Sequence, residues 1–102
     1  MHNIVRVSVA LGALAGFCAT ASAQDRAAIE AGEQVYAEHC VQCHGERLRA
    51  TGSASDLRNL PDDRPRFDKA VMEGKGQMPP WRGVVSAEEL DQLWAYIRAH
   101  AR

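Results

Sequence analysis

Residues 40–44 read Cys-Val-Gln-Cys-His, two thiols three positions apart with an imidazole directly after them. Such a cluster can serve as a redox dithiol, a metal site or a covalent anchor. A redox dithiol needs a helix N-terminus to lower one thiol pKa, within a strand-helix-strand setting. Here the motif follows a helical pattern and no alternating strand pattern exists. A structural zinc site needs four ligands. Cys40, Cys43 and His44 supply three, with His39 or His100 as spares, and the adjacent Cys-His pair is poorly placed for a tetrahedron.

The rest of the chain favours the anchor. Of its 102 residues, the first 23 have the order of a secretory signal peptide. Met1 to Arg6 are positive, roughly Val7 to Thr20 are apolar, and Ala21-Ser22-Ala23 offers a cleavage site after Ala23. The apolar run is short for a bilayer span, and Phe17 is a misfit before Cys18 for lipidation. The expected product is an exported, periplasmic domain over 24–102 that keeps Cys40 and Cys43 alone of the three cysteines. Its loss of Arg6 makes the formal charge of −1 one unit more acidic. That balance argues against nucleic-acid binding. A chain under about 80 residues struggles to fill its own core, and a two-cysteine loop is a poor staple. Covalent attachment of haem answers both points. The two thiols reach the two vinyl groups of one porphyrin while the following imidazole coordinates iron.

The elements that must position these groups read as all-α. Asp25 can cap a first helix over about Arg26 to His39, with Ile29, Gly32 and Tyr36 on one face. A glycine on that face invites close approach by another backbone or a flat ring. Residues 45–64 read as a loop of a length that suits wrapping a cofactor. A short helix is expected over about Pro65 to Glu73, ended by Gly74. The segment Gly74 to Gly83 is expected to be extended and stiffened by Pro79 and Pro80. In the last helix Ser86 and Glu89 form a capping box, Val85 can staple against Leu90, and Leu90, Leu93, Trp94 and Ile97 form a buried stripe.

An iron held by His44 has a second axial position. Met72 lies within a helix and reads as core filler. His39 abuts Cys40 and cannot easily cross to the far face, and His100 is close to the chain end. Met78 stands in the proline-stiffened loop, where the ordering cost of a weak thioether ligand is met in advance. Soft sulfur favours the ferrous state.

These residues resemble the small bacterial class I cytochromes c, over nearly all of 26–102. The resemblance rests on Gly32-x-x-Val35-Tyr36, Cys40-x-x-Cys43-His44-Gly45, Met78-Pro79-Pro80-Trp81 and Leu93-Trp94-Ala95-Tyr96-Ile97. It implies three main helices around one haem c, thioethers at Cys40 and Cys43, and iron ligated by His44 and Met78. Gly32 and Tyr36 should then pack on the last helix at Leu93 and Tyr96. In the family a proline carbonyl orients the proximal histidine; here Ser55 stands near that place, with the carbonyl of Ala54 or Ser55 as substitute. Arg58, Trp81 and Arg82 are candidates for holding haem propionates. The strings Asp56-Leu57-Arg58 and Val71-Met72-Glu73-Gly74, with the Met78 segment, look most like cytochromes that take electrons from periplasmic quinoprotein alcohol dehydrogenases. The implied role is a monomeric electron shuttle, with such a dehydrogenase as donor and an oxidase or another cytochrome as acceptor. The competing role is a five-coordinate haem sensor or peroxidase-like protein with a labile distal ligand.

Overall fold

A computed structural model describes residues 3, 5, 13–50, 52 and 54–102, with side chains described from residue 23 onward. The described residues hold four helices: α1 (Ala13–His39), α2 (Val41–His44), α3 (Arg64–Glu73) and α4 (Ala87–Ala99). Two 3-10 turns, Glu46–Leu48 and Leu57–Asn59, interrupt the long loop after α2. No strand occurs among the described residues, only isolated bridges at Lys75–Met78 and Arg82–Val85. Of the expected signal peptide, residues 1, 2, 4 and 6–12 lie outside the described residues, as do Thr51 and Ser53. In the full chain α1 begins at Ala13, so Asp25 is an interior residue of the helix rather than its cap. The alanine-rich run ahead of Asp25 has high helix propensity and carries the helix through.

Helices α1 and α4 cross at Gly32. A methyl group built there would stand 2.0 Å from the carbonyl oxygen of Gln92 and 2.8 Å from Cβ of Tyr96. No side chain larger than hydrogen fits, so the two backbones meet directly. One turn on, Tyr36 packs its ring against Tyr96 with centroids 5.5 Å apart. Val35, Tyr36, Leu48, Phe67, Val71, Val85, Leu90, Leu93, Tyr96 and Ile97 form one core drawn from α1, α3, α4 and the loops between them.

Local signals set the shorter elements. Asp63 caps α3 by accepting from the Arg66 N–H at 3.1 Å, and Pro65 occupies the first turn, where its missing N–H costs nothing. The capping box of α4 is complete: Ser86 Oγ accepts from Glu89 N–H, and Glu89 accepts from Ser86 N–H. Trp94 departs from the buried stripe expected of it. It is half-buried, stacked on Phe67 at 5.0 Å and covered by the guanidinium groups of Arg64 and Arg98 at 5.9 and 5.5 Å. Arg64 also reaches Asp68 on its own helix and Asp91 on α4, both at 2.6 Å, which ties α3 to α4.

Gly32→Ala is expected to destabilise the protein by about 1–3 kcal/mol, the range for forcing a methylene into a packed contact. Denaturant unfolding monitored by far-UV circular dichroism measures it.

Candidate functional site

Residues 40–44 wind one tight turn at the foot of α1. The Cys40 N–H donates to Tyr36 O at 2.8 Å, and Cys40 O accepts from Cys43 and His44 N–H at 3.3 and 3.0 Å. A spacing of three along a helical turn puts both sulfurs on one side of it. Neither is in a disulfide; Cys40 is half-buried and Cys43 exposed. Burial, with Cys43 beside it, pushes the Cys40 thiol up to about 11. That is the opposite of what a redox nucleophile or a thiolate metal ligand needs. Among the described residues no three His, Cys, Asp or Glu side chains are grouped to hold a metal ion by themselves.

His44 is fixed by one hydrogen bond. Its Nδ1–H donates to the Ser55 carbonyl at 2.9 Å. A carbonyl only accepts, so the proton is on Nδ1 and the Nε2 lone pair is free to coordinate. This is the support that a metal-bound imidazole receives from its surroundings, delivered by a backbone oxygen without the expected proline. Two thiols on one side of a turn, followed by an imidazole in the coordinating tautomer, fit covalent haem attachment.

The chain then turns sharply. Gly45 has φ +80°, and a methyl group there would lie 2.0 Å from Arg49 O. Arg47 and Leu48 follow with φ of 55° and 66°, an uncommon pair of left-handed residues with side chains. Leu48 is fully buried, which holds the turn in place. The Tyr36 hydroxyl donates to Gly45 O, joining the helix crossing to the residue after His44. Burial first, and Cys40 second, push that phenol up to about 12, so it stays a donor.

Met78 sits differently from expectation. The segment from Gly74 is not extended at its start: Lys75 and Met78 exchange two backbone hydrogen bonds of 3.1 and 3.0 Å, closing a tight turn. Gly74 (φ +80°) and Gly76 (φ +59°) make that reversal possible. The Trp81 N–H donates to Val71 O at 2.8 Å and pins the loop to the end of α3. Met72 and Met78 are both half-buried against the core. The Trp81 indole packs on the His39 ring at 5.1 Å, a contact between the end of α1 and the Met78 loop. No local pattern announced it, because the partners are 42 positions apart in a chain whose loops carry no periodicity.

Arg58 is occupied elsewhere. Its Nε and one terminal nitrogen donate to the two Asp56 oxygens, at 3.0 and 2.5 Å. It lines a cleft with Glu33, Arg47, Arg49, His100 and Arg102, apart from Cys40, Cys43, His44 and Met78. The exposed Arg82 lies 3.9 Å from Glu73.

Comparison with known proteins adds an independent line. Residues 27–97 match the family model described as "Cytochrome C oxidase, cbb3-type, subunit III". The chain is 33% identical over 85 residues to quinohemoprotein alcohol dehydrogenase ADH-IIG of Pseudomonas putida, covering 78% of this chain and 12% of that protein. It is 32% identical over 73 residues to ADH IIB of the same organism, covering 68% of this chain and 11% of that protein. It thus spans a small part of these two enzymes. Cytochrome c6 of Euglena gracilis is 27% identical over 78 residues, 69% of this chain and 90% of that protein. No solved structure matches.

Two outcomes follow from the geometry. Ser55→Ala keeps the carbonyl that holds His44 and is expected to change stability by no more than about 0.5 kcal/mol in denaturant unfolding. The Arg58 guanidinium lowers the Asp56 carboxyl from 3.8 to about 2. A depressed carboxyl contributes stability above its unfolded value that is lost as pH falls toward the folded one. Wild type should therefore lose its advantage over Asp56→Asn as pH drops from about 4 to about 2, read as converging unfolding midpoints.

Proposed function

Because the chain belongs to the cytochrome c family, with haem c bound covalently through Cys40 and Cys43, we propose that it is a periplasmic single-electron carrier whose iron is ligated by His44 and Met78. The observation that carries the proximal half is the Nδ1 hydrogen bond of His44 to Ser55, which leaves Nε2 to the iron. The distal half rests on the closed Lys75–Met78 turn and on the Trp81–Val71 tie, which order the methionine loop at both ends. Bound here, haem supplies a one-electron ferric/ferrous couple.

The protein's own groups then do three things. Cys40 and Cys43 hold the porphyrin against loss. The Ser55 carbonyl fixes the imidazole plane and raises its basicity. Met78, on its ordered loop, would supply the second protein ligand to the iron and leave no place for a substrate. A saturated iron suits electron transfer, and a thioether ligand raises the reduction potential. Residues 1–23 act as the export signal and 24–102 as the working domain, which places attachment in a compartment outside the cytoplasm. Trp81 would offer its indole N–H as a donor to a haem propionate. Arg58, engaged by Asp56, has less to offer there.

The electron donor we propose is a quinoprotein alcohol dehydrogenase. Likeness to the corresponding stretch of two quinohemoprotein alcohol dehydrogenases supports it. In those enzymes the similar stretch is part of a longer chain; here it would work as a separate carrier, passing electrons on to an oxidase or another cytochrome.

The ferric protein is expected to show a sulfur-to-iron absorption band at the red end of its visible spectrum. Met78→Ala should abolish that band and Met72→Ala should keep it; the reverse result overturns the ligand assignment. Mixing with a reduced quinoprotein alcohol dehydrogenase should reduce the carrier completely within seconds. No reduction, in a protein that dithionite reduces normally, removes this donor and leaves the ligation intact.

A further inference from the structure

The cleft lined by Glu33, Arg47, Arg49, Arg58, His100 and Arg102 has a volume of about 470 Å³. Four arginines, Arg47, Arg49, Arg58 and Arg102, line it in a protein of slightly acidic net charge. Asp56 neutralises Arg58, whereas Arg47, Arg49 and Arg102 form no ion pair among the described residues. Like charges gathered without partners repel one another. The backbone holds two of these residues at the cleft: Arg47 by its left-handed turn (φ 55°) beside buried Leu48, and Arg102 by its N–H on Arg58 O at 2.9 Å. The His100 Nδ1–H is spent on Tyr96 O at 2.9 Å, leaving Nε2 as its remaining polar atom.

We propose that this cleft binds a small multivalent oxyanion that carries a proton, the hydrogen phosphate class. Planar guanidinium groups form paired, charge-assisted hydrogen bonds with tetrahedral oxyanions. The space suits a small anion and its water. Glu33 supplies the discrimination. Its carboxylate only accepts, so it repels an anion without a proton and takes a hydrogen bond from one with a P–OH group. Sulfate at neutral pH has no such proton. Arg47, Arg49 and Arg102 hold the charge, Arg58 lines the cleft already neutralised by Asp56, and Glu33 selects the protonated ligand. None of these residues is Cys40, Cys43, His44 or Met78, so the site is separate from the haem anchor.

Isothermal titration of the haem-loaded protein with sodium phosphate and with sodium sulfate, at matched ionic strength and pH 7, tests it. Saturable one-to-one phosphate binding is expected, at least about tenfold tighter than sulfate, a ratio the titration resolves directly. The pair Arg47→Asn with Arg49→Gln should weaken phosphate by about tenfold or more, with an unchanged visible spectrum; asparagine tolerates the left-handed backbone at 47. Arg102→Gln, at an exposed chain end, provides the same reading should the pair fail to fold. Glu33→Gln should narrow the gap between phosphate and sulfate. Equal binding of the two anions by wild type, binding that none of the arginine variants weakens, or no heat from either anion overturns the proposal.

Discussion

Everything around the haem anchor hangs from the contact in which α1 and α4 meet backbone to backbone at Gly32. A methyl group would stand 2.0 Å from Gln92 O, so the crossing is set by the absence of a side chain rather than by a complementary pair. With that distance fixed, Tyr36 lies against Tyr96 and its hydroxyl reaches Gly45 O, one residue beyond His44. The same crossing therefore fixes both ends of the thiol-imidazole turn. Cys40 hangs from the last turn of α1 through its N–H on Tyr36 O, and Gly45 is held by the tyrosine side chain. A short helix of four residues with no buried side chain of its own is thus located by a pair of helices whose packing energy lies elsewhere.

Two loops then present ligands to the cofactor by different means. On one side a backbone carbonyl, Ser55 O, sets the imidazole tautomer. Because the acceptor belongs to the main chain, the residue type at 55 matters less than the path of the chain. The turn at Leu57–Asn59 sets that path, with Asp56 accepting from the Arg58 N–H at 3.0 Å. On the other side two glycines with positive φ fold the Met78 segment onto itself, and Trp81 clamps it to α3 and to His39. The prolines after Met78 stiffen only the second half of that loop. The first half is ordered by hydrogen bonds.

What could be read beforehand and what could not divide along physical lines. The capping box at Ser86 and Glu89, the glycine on the face of α1 and the Cys40–His44 spacing are local or periodic features, and a linear string displays them directly. The Ser55 carbonyl has no letter of its own, because every residue carries the same oxygen; the resemblance left Ala54 and Ser55 open, and the path of the chain selects Ser55. The Lys75–Met78 turn was obscured because Pro79 and Pro80 suggest extension while Gly74 and Gly76 permit reversal, and only the packing on Val71 decides between them. Arg58 reads as a free cation in the sequence; its partner two residues earlier becomes visible only when the turn brings both side chains to one side. The His39–Trp81 stack joins residues far apart in the chain, and no spacing rule reaches that distance.

The left-handed pair Arg47–Leu48 makes a local turn dependent on distant packing. Each such residue with a side chain opposes its own local preference by about 1–2 kcal/mol, so the turn cannot nucleate by itself. Burial of Leu48 in the core it shares with α1 and α4 offsets that cost. The turn behind Cys40, Cys43 and His44 is thus as stable as the helix pair it packs on, and a chain in which that pair is apart leaves the three residues on an open segment.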